Sequence, residues 1–133
     1  MPNTISQQAR DFLAAPRYAV LATINADGMP QQTPVWYQLR GDVLYMNTRE
    51  GRLKWRNLQR DARVSLCVVD GERYVTLRGR VTMTGGAAAY DGIRALSIRY
   101  HGAEEGERQA QNYAGQKRVD LEMQIEHVHA VLS

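Results

Sequence analysis

Apolar and polar positions along the chain change period several times, and each change predicts an element. Thr4-Ile5-Ser6-Gln7 has the form of a capping box, and Ile5, Ala9, Phe12 and Leu13 recur at helical spacing. A helix is expected from about Thr4 to Ala15, stopped near Pro16. The apolar and β-branched run Tyr18–Ile24 predicts a first strand, closed by the turn signal Asn25-Ala26-Asp27-Gly28. A second strand is expected from Pro30 to about Leu39, then a turn at Arg40-Gly41-Asp42 and a return over Val43–Asn47. Connections this short make the three strands antiparallel neighbours. Gly51–Arg60 reads as a short helix with Leu53 and Leu58 available to the core. Val64–Val69 is the next strand, and Asp70-Gly71 begins a tight hairpin into Tyr74–Thr84. There Val75, Leu77, Gly79, Val81 and Met83 alternate with Thr76, Arg78, Arg80 and Thr82, with a bend or bulge expected at Gly79. Beyond Gly85-Gly86, the residues Ala89, Ile93, Leu96 and Tyr100 share one helical face. His101–Gln116 is polar and Gly-punctuated, reading as a short helix or a mobile loop. Val119, Leu121, Met123 and Ile125 then alternate with polar residues, ahead of Val128–Leu132.

Six strands and few helices in 133 residues favour a barrel, because closure removes exposed sheet edges. The expected fold is mainly β, one antiparallel barrel domain over residues 1–133 with a few covering helices. No apolar run approaches the roughly 18–20 residues needed to cross a bilayer, and no signal-peptide pattern opens the chain. The single cysteine, Cys67, excludes an intramolecular disulfide and a cysteine-only metal site. These features point to a cytoplasmic protein without a membrane partner.

Net charge is a modest +3, but its distribution is uneven. Arg49, Arg52, Lys54, Arg56, Arg60 and Arg63 crowd one short stretch, against only Glu50 and Asp61. Such a concentration suits a bound anion, a phosphorylated small molecule or a nucleic acid, and equally a solvated helix face. Nucleic-acid contact spreads basic and aromatic residues over a broad face. The cluster here is compact and joined to a strand end, which favours the small molecule. A strand is expected to end at Asn47 and a helix to begin a few residues later, exposing backbone amides that attract anions, with Thr48 adding a hydroxyl donor. Arg52 offers a planar fork of donors and Lys54 a compact charge on a flexible stem. The Gly-x-x-x-x-Gly-Lys spacing of a P-loop is absent.

The order of elements, with Gly28-x-Pro30, Thr33-Pro34-Val35-Trp36 and Thr48-Arg49-x-x-Arg52-x-Lys54-x-Arg56-Asn57-Leu58-x-Arg60-Asp61, resembles the pyridoxamine-5'-phosphate-oxidase-like split-barrel superfamily. Within it the chain looks most like the branch dependent on the deazaflavin coenzyme F420, and the resemblance spans about Tyr18 to Val131. It implies a six-stranded antiparallel split β-barrel, assembled as a homodimer with cofactor sites at the subunit interface. It implies that Arg52 and Lys54 hold the cofactor's phosphate and acidic tail, with Asn47, Thr48 and Arg49 along the ribityl and phosphate path. Gln32, Thr33, Pro34, Val35 and Trp36 are implied along the tricyclic ring, Arg56 and Asn57 beside the tail, and Tyr74 as a contact from the partner subunit. The implied chemistry is hydride transfer between deazaflavin and an unsaturated small-molecule substrate, the alternatives being an FMN-binding flavoprotein or a non-catalytic cofactor-binding protein. No histidine, cysteine or carboxylate cluster suggests a separate catalytic machine. His127 and His129 share a strand face but lack a third ligand, so no metal is expected. His101 is a candidate for the substrate entrance, Trp55 for dimer or core packing, and Cys67 for a small core residue.

Overall fold

The computed structural model describes residues 5–133, so the expected opening of the first helix at Thr4 lies outside the described residues. Helix α1 (Gln7–Ala14) is capped by Ser6, whose Oγ accepts from the Ala9 amide at 3.1 Å, and it buries Ala9, Phe12 and Leu13. The strands are β1 (Ala19–Ile24), β2 (Pro30–Val35), β3 (Gln38–Arg40), β4 (Val43–Arg49), β5 (Arg63–Asp70), β6 (Arg73–Gly85) and β7 (Arg118–Val131). Helix α2 (Leu53–Arg60) follows β4. Helices α3 (Ala87–His101) and α4 (Ala103–Ala110) and a 3-10 turn (Gln111–Tyr113) fill the stretch between β6 and β7. The polar segment His101–Gln116 is therefore largely helical.

Seven strands form one antiparallel sheet in the order β2-β1-β5-β6-β7-β4-β3. Its two edges, β2 and β3, are consecutive in the chain and joined only by Trp36 and Tyr37. The sheet must curl until those edges meet, which makes a split β-barrel. The expected count of six strands is thus corrected to seven, because the expected strand Pro30–Leu39 breaks at this link. Tyr37 explains the break. Its ring is fully buried, and its hydroxyl donates to the Ala15 carbonyl at 3.0 Å. Its backbone N–H donates to the Tyr100 hydroxyl and its carbonyl accepts from Arg99 Nε, both at 3.0 Å. Side chains satisfy the backbone where a neighbouring strand otherwise would.

The barrel interior is filled by alternate strand residues, among them Leu21, Leu44, Met46, Leu66, Leu77, Leu121 and Met123, and Trp55 packs against it from α2. At the expected irregularity in β6 the register shifts between Arg78 and Gly79. A Cβ on Gly79 would stand 1.9 Å from the Gln124 carbonyl oxygen, so only glycine lets β7 approach this closely. Cys67 is half-buried and points away from Leu66 and Val68, on the outer face rather than in the core.

Strand β4 is covered on both sides. Leu44, Met46 and Thr48 alternate with Tyr45, which lies beneath α3 together with Ile93 and Leu96. Burying each of those two aliphatic side chains contributes roughly 1.5–3 kcal/mol, enough to hold α3 on the barrel wall. Gly92 sets how close the helix comes: a Cβ there would lie 1.7 Å from the Tyr45 hydroxyl. No helix among the described residues is long and apolar enough to cross a membrane.

Candidate functional site

Where β4 runs out into α2, the wall of the barrel, α3 and the start of β7 enclose a cleft of about 250 Å³. One end is cationic: Thr48, Arg49, Arg52, Lys54 and Arg118. The other is aromatic and apolar: Tyr18, Pro34, Val35, Trp36, Ile93 and Leu96, with Tyr113 along the side. Arg52 is the extended N-cap residue of α2 and has no side-chain cap bond, while Lys54 lies in the first turn. Two residues so close in sequence reach one cleft because the backbone is still entering the helix between them.

The β4–β7 register sets Arg49 directly opposite Arg118. Like charges facing each other across an antiparallel pair are destabilising. Among the described residues no carboxylate lies within ion-pair distance of Arg49, Arg52, Lys54 or Arg118. Two of the four, Lys54 and Arg118, have lowered proton affinities. Burial, then the nearby Arg52 and Arg118, pull the Lys54 ammonium below its ordinary range. Burial, with Arg49 and Arg52, lowers Arg118 in the same direction. An anion bound here would relieve all four cations at once.

Asn47 is the junction of the cleft floor. Its Nδ2 donates to the Ala89 carbonyl at 2.9 Å and lies 3.0 Å from the Tyr45 hydroxyl, and its Oδ1 accepts from Arg118 Nε at 3.0 Å. Its amide is therefore used internally, and what it offers the cleft is the orientation of Arg118. Gln116 Oε1 accepts from Arg118 Nη1 at 2.9 Å, and the guanidinium lies over the Tyr113 ring, 5.0 Å from its centroid. At the opposite end Trp36 stacks on Tyr100, centroids 5.2 Å apart and planes 15° from parallel, with His101 edge-on to the indole at 5.2 Å. Tyr18 is tilted against Tyr100 and is 62% exposed.

The sequence-predicted residues divide between the cleft and other places. Pro34, Val35, Trp36, Asn47, Thr48, Arg49, Arg52 and Lys54 come together in it. Gln32 and Thr33 lie further along β2, opposite Ala22 and Leu21, and do not line it. Arg56 follows Lys54 by two residues, about 200° around the helix, and so opens on a different depression with Asn25, Asp27 and Arg60. Asn57 is buried, its Nδ2 donating to Thr23 Oγ1 and Asn25 Oδ1 at 3.1 and 2.9 Å, where it ties α2 to β1. Tyr74 is the second residue of β6, on the outer face, with its hydroxyl 3.5 Å from His129 Nε2. Tyr18, Ile93, Leu96, Tyr113 and Arg118 are the lining residues that sequence reasoning missed. Arg118 had one signal: a charged residue opening an alternating run whose strand partner ends in Arg49.

Residues 5–132 match the sequence profile of pyridoxamine 5'-phosphate oxidase. The chain belongs to that family. Among curated relatives, the F420H(2)-dependent biliverdin reductase of Mycobacterium tuberculosis (strain CDC 1551 / Oshkosh) is 29% identical over 126 residues, covering 93% of this chain and 86% of the relative. Among solved structures, a conserved hypothetical protein from Mycobacterium tuberculosis superposes with a TM-score of 0.80 at 26% identity, covering 96% of this chain and 84% of that one. A protein described as an F420 reductase superposes with a TM-score of 0.74 at 24% identity, covering 97% and 98% of the two chains. The named relative and the family are oxidoreductases, and the split barrel is the family's fold.

Proposed function

We propose that the protein is an F420-dependent oxidoreductase that acts on an unsaturated small-molecule substrate as a homodimer. The observation that carries this reading is the knot of four cations without an acidic partner, set at one end of a cleft whose other end is aromatic. A phosphorylated cofactor with an acidic tail fits that division of charge. Arg52, Lys54, Arg49 and Arg118 would hold the phosphate and the first acidic groups beyond it, with the Thr48 hydroxyl as an added donor. Pro34, Val35 and Trp36 would flank the ring system. When bound, the reduced deazaflavin would supply the hydride. The chain's residues orient the ring, neutralise the anionic end and keep water from one side of the cleft. The cations gather at one end of a concave cleft rather than over a broad face, which disfavours nucleic acid.

Two observations support the homodimer. The cleft of about 250 Å³ is smaller than the roughly 300–1,000 Å³ usual for small-molecule sites, so a further wall is needed. Tyr18 continues from the cleft mouth into an outer barrel face bearing Val20 and Val69, 39% and 54% exposed, with Cys67 opposite Val20 and Tyr74 opposite Val69. A second copy seated there would cover that face and complete the wall. Tyr74 then belongs to the interface.

Side-by-side fluorescence titrations with oxidised F420 and FMN test the cofactor. Tighter F420 binding is expected; equal or tighter FMN binding would move the protein to the flavin side of its family. Absorbance of reduced F420 in the presence of conjugated acceptors tests the reaction. A linear tetrapyrrole, the substrate class in the mycobacterial relative's name, is the first acceptor to try. Binding of neither cofactor would remove the reading.

A further inference from the structure

Behind the cationic end of the cleft lies a group that does not itself line it, the carboxylate of Asp120. It sits on β7 directly opposite Asn47, and its Oδ1 accepts from the Tyr45 hydroxyl and lies 3.3 Å from Asn47 Nδ2. Among the described residues Asp120 makes no ion pair. Its partners are neutral donors, and both are members of the floor that aims Arg118. The chain of contacts is continuous: Asp120 to Tyr45 and Asn47, and Asn47 Oδ1 to Arg118 Nε at 3.0 Å.

An amide such as Asn47 can be turned either way at similar cost unless its surroundings choose. Here the acceptors choose. Asp120 Oδ1, the Tyr45 oxygen and the Ala89 carbonyl all face Asn47 Nδ2, so Oδ1 is left pointing at Arg118. Turned over, the amide would set an oxygen against acceptors and an N–H against a cation. Gly92 keeps the arrangement tight, since a Cβ there would lie 2.7 Å from Asp120 Oδ1 and closer still to the Tyr45 hydroxyl. The helix thus packs closely against the half-buried carboxylate and its two donors.

We infer that Asp120 is a positioning residue: through Tyr45 and Asn47 it fixes the orientation of the Arg118 guanidinium and so sets the strength of the cleft's grip on a phosphate. The inference rests on the cationic end being an anion site, as proposed above, but not on which cofactor fills it. The role is one of accepting hydrogen bonds. An asparagine at the same position, which keeps an acceptor oxygen, therefore preserves it, whereas alanine abolishes it.

The test is a double-mutant cycle on the intact protein, read by calorimetric titration with inorganic pyrophosphate and by fluorescence titration with F420. Arg118→Met and Asp120→Ala should each weaken pyrophosphate binding by about tenfold, the loss expected for one charge-assisted contact. The double variant should be no weaker than Arg118→Met alone, and Asp120→Asn should bind within about twofold of the unaltered protein. Should Asp120→Ala fail to fold, as judged by circular dichroism, Tyr45→Phe takes its place, with a loss of about threefold that vanishes in the Arg118→Met background. Equal losses with and without Arg118 would overturn the inference, since they describe a general structural defect. Failure of Asp120→Asn to restore binding would overturn it as well. Pyrophosphate binding without F420 binding would defeat the cofactor reading and leave the relay standing; binding of neither would defeat both.

Discussion

Arg99 and the cations of the cleft show two opposite ways to place a guanidinium in a small barrel. Arg99 reaches from α3 to the end of α1, where Nη1 donates to the Ala14 carbonyl at 3.0 Å and Nη2 to those of Leu13 and Ala15 at 3.3 and 3.2 Å. Its Nε takes the Tyr37 carbonyl at the link between the sheet edges. Each of its three nitrogens has an acceptor, and the negative end of a helix lies under the charge. Tyr37 beside it is buried so fully that its phenol is pushed up to about 12, mainly by desolvation. At the other end of the cleft, Arg49, Arg52, Lys54 and Arg118 meet each other rather than acids. The first arrangement serves the fold. The second opposes it, and a sequence keeps such a cost where a ligand returns it.

Removal of Arg99 should therefore have the largest effect on folding. Arg99→Ala is expected to lower stability by about 2–3 kcal/mol, because four carbonyls, most of them partly buried, lose a charged donor together. Chemical denaturation would show it as a lower midpoint, and a loss under about 0.5 kcal/mol would erase the contrast, that being ordinary for a surface change. Lys54→Ala should do the reverse. Cofactor affinity falls by about 1–3 kcal/mol, while the melting temperature of the free protein holds or rises. Unchanged affinity would mean that the anion sits elsewhere.

Proton titration sharpens the comparison further. Burial and the neighbouring Arg52 and Arg118 hold the Lys54 pKa below its ordinary 10.5, so the unfolded chain keeps that proton to higher pH than the folded one. Over the window between the lowered value and 10.5, the free protein gains stability as pH rises. Anion affinity should move oppositely and decline across the same window, and Lys54→Arg should abolish the decline. Affinity that stays flat from neutral pH to 10.5 would contradict the assigned role. The smallest effect is that of salt. Screening of the crowded cations should raise the stability of the free protein by a few tenths of a kcal/mol, and Arg118→Met should cancel that gain. Melting curves at low and high sodium chloride would show both.

Much of the barrel was legible because its strands alternate cleanly, as in β6, and because a lone glycine inside that alternation, Gly79, marks the bulge. The corner at Arg52 and Lys54 was legible because its charges are neighbours in sequence. The break at Trp36-Tyr37 was not, since the chain passes from one sheet edge to the other there without a glycine or proline to announce it. Arg118 was hidden for a different reason: only the pairing of β7 with β4 brings it beside Arg49. Arg56 and Asn57 illustrate the converse. They share the basic run, but helical rotation turns the first to a separate depression and the second into the core. Local composition identified the charge, and only the fold could sort it by direction.

Under the proposed function the four cations hold the anionic end of a redox coenzyme. A crystal structure of the protein with oxidised F420 would decide this. The cofactor phosphate is expected within hydrogen-bond distance of Lys54 and Arg118, with the ring against Trp36. A phosphate bound away from both side chains, or a ring outside the cleft, would contradict it.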